Sequence, residues 1–378
     1  MVGILSPGRY VSEPGAVRRV GLETATLGRS ALVVHGAVGY RLVGDEVRGA
    51  LEAAGVRYSE VEHSGYCGTE SVERHVGPAR GQDHEVVIGV GGGRVLDVSK
   101  AIAEALDLPF ILLPTSPATC SAATTIVVDY TPDGAHVGGR PVQRPAAASL
   151  IDPELLASAP DRLLVSGIVD ALAKAVEVRS ATSRIDRPAP STIAAFALCD
   201  ALEEMLFADA AKAVVAGPAP LASGSGHRGE YGAAREVREC VAEASVLWPG
   251  LIGTLAGEQA RLAAAHSVHN ALTILSGSHA SLHGELVGFG ILVQHALAGN
   301  DDALERTAAW FATIGCPADL GALGCGEYLT SSEARDRVLR RACDSVPMSA
   351  AFPGIEPGDL AEAMARANEA SLGQLRVA

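Results

Sequence analysis

The chain has 378 residues, 48% of them hydrophobic and only 4% aromatic, and a formal net charge of −14 at pH 7. That length predicts two domains, with enough apolar content for two cores. An acidic balance without a basic cluster argues against a nucleic-acid or anionic-membrane partner. The opening MVGILSPGRYVSEPG lacks a basic start followed by a sustained apolar core, and no run approaches the roughly 20 apolar residues of a membrane helix, so a soluble, cytoplasmic protein is expected. The cysteines (Cys67, Cys120, Cys199, Cys240, Cys316, Cys325, Cys343) contain no Cys-x-x-Cys pair and are expected to be reduced thiols. Lysine occurs only at Lys100, Lys174 and Lys212, which reads as coding bias.

In chain order, strands are predicted at 30–34, 58–61, 85–90 and 110–113, alternating with helices at 43–54, near 71–76, and at 95–106. Such alternation specifies a mostly parallel sheet with helices on both faces. Beyond Asp152-Pro153 the strand pattern stops and helical periodicity takes over. The expected organisation is an α/β domain over 1–160 and an all-helical domain over 161–378. Residues 218–232, rich in Pro, Gly and Ser, are expected to form a flexible loop between helices.

At 89–100, GVGGGRVLDVSK runs from a strand through Gly91, Gly92 and Gly93 into a helix. Such a turn lets the backbone approach a pyrophosphate and offers it the free N–H groups of the helix start, although tight strand-to-helix turns use glycine anyway. Asp97 and Lys100 share a face of that helix. They form either a surface or half-buried ion pair or part of an inter-domain cleft.

In the helical half, Asp170 is a lone acid in the apolar run LLVSGIVDALAKAVEV (163–178), where an unpaired charge is costly. Glu177 could share its face, but near a helix end it is expected to be solvated or capping. Further on, AAAHSVHNALTILSGSHASLHG (263–284) places His266 and His269 one turn apart, and a loop through Ser276, Gly277 and Ser278 lets the chain return with His283. Imidazoles and one carboxylate make a three-ligand site with an open position, the arrangement of catalytic metals.

These motifs occur in one order: GGG-x-x-x-D-x-x-K, PTSPATCSAATTIVVDY (114–130), GIVDALAKAVEVRS, then HSVHN with HG seventeen residues after its first histidine. Together they resemble the glycerol dehydrogenase branch of the iron-containing alcohol dehydrogenase superfamily, over most of the chain. The resemblance implies an N-terminal Rossmann-like dinucleotide-binding domain, an all-α C-terminal domain, an active site between them and a homo-oligomer. It assigns the metal to Asp170, His266 and His283, zinc being favoured over iron, and makes His269 a cleft residue able to relay a proton. It places the cofactor on Gly91, Gly92, Gly93, Arg94, Val95 and Asp97, with Thr115, Ser116, Thr119, Thr124, Ile126 and Tyr130 along the groove.

Three departures stand out. Gly36 replaces the aspartate that in the family binds the adenosine ribose, which removes an obstacle to NADP; Arg41 is nearby. Cys120 replaces an aspartate suited to a polyol, so glycerol is a doubtful substrate and a hydroxycarboxylate or small carbonyl fits better. Arg261 stands where relatives have a small residue and could anchor a substrate carboxylate or phosphate, or simply lie at the surface. The expected activity is a metal-dependent, NAD- or NADP-linked dehydrogenase of a small hydroxy compound. The rivals are a sugar-phosphate cyclase resembling dehydroquinate synthase, which needs more basic residues, and a non-catalytic dinucleotide-binding paralogue, which needs no metal ligands.

Overall fold

The protein is described here by a computed structural model covering residues 5–183, 185–218, 232–257 and 260–375. The expected loop at 218–232 lies largely outside the described residues. The N-terminal half runs β1 (Tyr10–Ser12), α1 (Val20–Ala25), β2 (Ser30–His35), α2 (Ala37–Ala53), β3 (Arg57–Glu62), α3 (Thr69–Ala79), β4 (Val86–Gly91), α4 (Gly93–Leu106), β5 (Phe110–Pro114), β6 (Ile126–Tyr130), β7 (His136–Pro141) and β8 (Ala148–Ile151). Six strands form a parallel sheet in the order β1-β8-β5-β4-β2-β3, while β6 and β7 pair separately as an antiparallel hairpin.

The predicted α/β alternation is present, with two differences. Helix α2 starts at Ala37, well before the predicted 43, because Gly36 is an extended N-cap and the helix begins directly after the strand. Strands β1, β6, β7 and β8 are absent from the prediction: they are short, and runs this brief carry little periodic signal.

Strands β4 and β5 are buried throughout, as expected of a parallel sheet covered on both faces. Alternation along β2 sends Ala31 and Val33 to one apolar cluster with Val43, Val47 and Leu51 of α2. Leu32 and Val34 go to the opposite cluster, which continues without a break into the helical half as far as Ala370. One face of the sheet and the helices therefore share a core, where two separate cores were expected.

The helical half comprises α5 (Pro153–Ala157), α6 (Asp161–Thr182), α7 (Pro190–Ala216), α8 (Gly232–Ala256), α9 (Ala264–Leu272), α10 (His283–Leu297), α11 (Asp301–Thr313), α12 (Gly326–Thr330), α13 (Ser332–Cys343), α14 (Val346–Ala351) and α15 (Pro357–Leu375). No described helix is long and apolar enough to cross a membrane. Arg238 of α8, 1% exposed, ties the junction of the halves together. Its guanidinium donates to the carbonyls of Ala157, Ala159 and Ala213 and to the Asp161 carboxylate, at 2.7–2.9 Å.

Helix α10 is the central element of this half, buried at every position from Gly284 to Gln294. Its glycines set how closely it approaches its neighbours. A Cβ at Gly284 would lie 1.9 Å from the Ser166 carbonyl of α6, and one at Gly290 would lie 2.2 Å from the Ala265 carbonyl of α9. Both obstacles are backbone, so a side chain must push helices apart. Gly290→Ala is expected to destabilise the fold by about 2 kcal/mol or more and to displace α9, which carries His266. Thermal denaturation and metal content of the purified variant, compared with wild type, check both effects.

Candidate active site

The carboxyl ends of β2, β4 and β5 open on a cleft of about 1590 Å³ whose other wall comes from α6, α9 and α10. Strand order reverses between β2 and β4, the point where open α/β sheets bind their ligands. All residues expected on the nucleotide side line this cleft, as do Cys120, Asp170, Arg261, His266, His269 and His283.

At the nucleotide end, Gly92 is the extended N-cap of α4, and a Cβ there would meet nothing within 4 Å. The helix start is thus bare backbone facing the cleft, a cradle suited to a pyrophosphate. A Cβ at Gly93 would lie 2.6 Å from the Thr119 hydroxyl. Arg94 lies over the Tyr66 ring, 4.5 Å from its centroid, and Tyr66 packs on Tyr130 at 5.3 Å.

Two residues of this set differ in role from expectation. Val95 is buried beneath the turn, where its side chain fills the space that a Cβ on Gly91 or Gly36 would need. Asp97 lines the cleft, but its carboxylate accepts from the Ser121 hydroxyl at 2.6 Å and the Val128 amide at 3.1 Å, and pairs with Lys100 at 3.0 Å. Lys100 is fully buried and donates to the Ile126 carbonyl at 2.6 Å. This pair pins the 121–128 wall of the cleft and has no surface role.

At the other end, ligand atoms of Asp170, His266 and His283 all lie within 4.8 Å of one another. The Nε2 atoms of His266 and His283 are 3.4 and 3.3 Å from Asp170 Oδ1. Asp170 comes from the middle of α6, His266 from α9 and His283 from the first residue of α10. The loop expected to return the chain for His283 is a 3-10 turn, Ser276–Ala280. Burial opposes ionisation of Asp170, but His283 and His266 outweigh it and hold the carboxyl well below the usual carboxylate range.

Glu177 corrects the expectation of a solvated or capping residue: it is fully buried. Its Oε2 lies 2.6 Å from His266 Nδ1, and its Oε1 accepts the amides of Ala263 and His266 at 2.8 and 2.9 Å. A carboxylate accepts, so His266 Nδ1 carries a proton, and Nε2, which faces Asp170, is the ring atom that would coordinate a metal there. The signal was its position seven residues after Asp170, two turns along one face.

His269 lines the cleft and is held by two side chains. Its Nδ1 lies 2.8 Å from Asn270 Oδ1 and its Nε2 lies 3.0 Å from His283 Nδ1. With Asn270 Oδ1 as acceptor, protons sit on Nδ1 of both histidines, and His283 Nε2, which faces Asp170, is the atom that would coordinate a metal. Both nitrogens of His269 are thus committed to neighbouring side chains, and burial followed by the charges of His283 and His266 lowers its pKa well below normal. A further cleft histidine, His136 of β7, was not anticipated. Its amide donates to the Thr273 hydroxyl at 2.9 Å and its carbonyl accepts from Arg341, joining the hairpin to the helical half.

Two nitrogen atoms and one carboxylate oxygen, converging with an oriented outer carboxylate, fit a divalent transition metal with an open coordination position. Glu177→Gln replaces the acceptor of His266 Nδ1–H by an amide and is expected to weaken metal binding about 10- to 100-fold. Competition of the purified variant with a chromophoric chelator measures this.

The chain is similar to known proteins over most of its length. Residues 7–153 match the family model described as iron-containing alcohol dehydrogenase. The chain is 31% identical to the glycerol dehydrogenase of Thermotoga maritima over 356 residues, covering 89% of this chain and 88% of that one. It is 30% identical to hydroxycarboxylate dehydrogenase A of Escherichia coli over 328 residues, covering 85% and 84%. The solved structure of a probable glycerol dehydrogenase from Sinorhizobium meliloti 1021 superposes with a TM-score of 0.83 at 28% identity, over 99% of this chain and 100% of that one. The chain belongs to the iron-containing alcohol dehydrogenase family, in its glycerol dehydrogenase-like branch, and is an alcohol-oxidising oxidoreductase.

Proposed function

We propose that the cleft interconverts a small hydroxy compound and its carbonyl, using NAD(P) at the glycine turn and a divalent metal held by Asp170, His266 and His283. The observation that carries this reading is the convergence of those three side chains at one end of a cleft whose other end is a bare helix start. When bound, the metal supplies Lewis-acid polarisation of the substrate oxygen, and the nicotinamide supplies or takes up hydride.

The chain's own residues do the rest. Asp170 stays ionised and offers the negative charge. Glu177 and His269 fix the tautomers of His266 and His283 so that both present Nε2. The N–H groups at Gly93 and beyond receive the pyrophosphate, and the Asp97–Lys100 pair holds the wall carrying Thr124 and Ile126. Cys120 takes no covalent part: burial, then the Asp170 charge, push its thiol up to about 12, so it remains protonated. Two imidazoles with one carboxylate suit zinc, which we favour over iron.

For the nucleotide, Gly36 leaves the end of β2 without a carboxylate, consistent with use of NADP. Glu62, register-paired with His35, places a carboxylate on the same rim from β3. Glu62→Gln is expected to raise the ratio of kcat/KM for NADPH to that for NADH by about tenfold, as one repulsive charge is removed.

The central test pairs metal analysis of the purified protein with assays at 340 nm, using NADH and NADPH against small aldehydes, ketones and 2-oxo acids. Metal-dependent oxidation of the nucleotide, lost in Asp170→Ala and His266→Ala and after chelation, is the expected result. Bound metal and nucleotide without turnover of any carbonyl or alcohol would overturn it.

A further inference from the structure

Beside the three ligands, the cleft wall includes Cys120, Lys174 and Arg261. Lys174 follows Asp170 by one turn of α6, so the two side chains leave the same face of the helix. The Lys174 side chain is only 9% exposed, and among the described residues its ammonium makes one short hydrogen bond, to the Arg261 carbonyl at 2.9 Å. Its other neighbour is Glu177 Oε2 at 3.8 Å, an oxygen already engaged by His266 Nδ1 at 2.6 Å. An ammonium has three donors, and a buried one left short of acceptors is costly.

The described carboxylates lining the cleft do not satisfy it. Glu62 lies at the end of β3, Asp97 is paired with Lys100, and Asp170 faces the two imidazoles. Cys120, whose electrostatic neighbours include Asp170 and Lys174, is a neutral thiol. The space beside the metal ligands is thus bordered by a buried cation with donor capacity to spare.

We infer that Lys174 recognises a substrate carboxylate, so that the cleft takes 2-hydroxy and 2-oxo carboxylic acids. The reacting oxygen then lies toward Asp170, His266 and His283, and the carboxylate lies on the Lys174 ammonium. This names the substrate class for the activity proposed above and rests on it. It moves the anchoring role expected of Arg261 to Lys174, whose partner is the Arg261 backbone. The competing account is structural: Lys174 serves only to offset the charge of Glu177.

The test titrates metal-loaded enzyme with oxamate, an unreactive 2-oxo carboxylate analogue, by calorimetry. In parallel, kcat/KM for pyruvate is divided by that for its uncharged methyl ester. Lys174→Met is expected to weaken oxamate about 10- to 100-fold and to lower the pyruvate-to-ester ratio similarly. Cys120→Asp, which sets a carboxylate within electrostatic reach of the ammonium without removing it, is expected to move both readouts in the same direction and serves if Lys174→Met does not fold. A lysine that only offsets Glu177 would lower the thermal midpoint in Lys174→Met while leaving affinity and ratio unchanged, and that result overturns the inference. Failure of wild type to bind oxamate while reducing uncharged carbonyls also overturns it and leaves the dehydrogenase standing. Lys174-dependent oxamate binding without turnover of any substrate would instead overturn the dehydrogenase and keep the carboxylate site.

Discussion

The site depends on keeping two carboxylates ionised inside a buried helix. Asp170 and Glu177 both lie in α6, at 4% and 0% exposure, and an isolated charge in such surroundings would take up a proton instead. Each is held by imidazole: Asp170 faces His266 and His283, and Glu177 grips His266 from behind. The backbone amides of Ala263 and His266 add two further donors to Glu177, so the start of α9 is fixed to the same carboxylate as its side chain. Breaking a buried arrangement of this kind leaves an uncompensated charge, which is why its members act as a unit.

The surrounding helices are shaped by that need. Imidazoles from two other helices reach Asp170 because α10 lies nearly backbone to backbone against α6 and α9, at Gly284 and Gly290. At this crossing the Gly284 amide also donates to the Ser166 hydroxyl at 3.0 Å. A second buried ion pair, Asp97 with Lys100, does the corresponding work on the sheet side. It holds the 3-10 turn at Ser121–Ala123 and the start of β6 against α4, and so gives the glycine-turn end of the cleft a fixed wall. The two ends are joined through His136, where the hairpin meets Thr273 and Arg341.

Local pattern carried much of this architecture. Strands β2 to β5 and the helices between them follow from apolar runs separated by helical periodicity, and the glycine turn follows from Gly91 to Gly93. His266, His269, His283 and Asp170 stand out because polar groups in apolar helical stretches need partners. The pattern was weaker where the element is short, as in β1 and β8. It was also weaker where a helix starts without a break, as at Ala37. It did not show that one face of the sheet and the helical half pack into a continuous apolar cluster, because that depends on which helix faces reach the sheet.

The amino-acid sequence by itself therefore determined the order of elements, the glycine turn and the chemical identity of the groups that converge at Asp170, since spacing and polarity within one segment express these. Tertiary structure alone decided the division of labour among neighbours. It made Glu177 the brace of His266, His269 the support of His283, Asp97 and Lys100 a structural pair, and Lys174 a buried cation beside the ligands. Each of these roles is set by contacts between residues distant in the chain or by burial imposed from other helices. A side chain's partners and its exposure to water are properties of the packed molecule, and no local pattern encodes them.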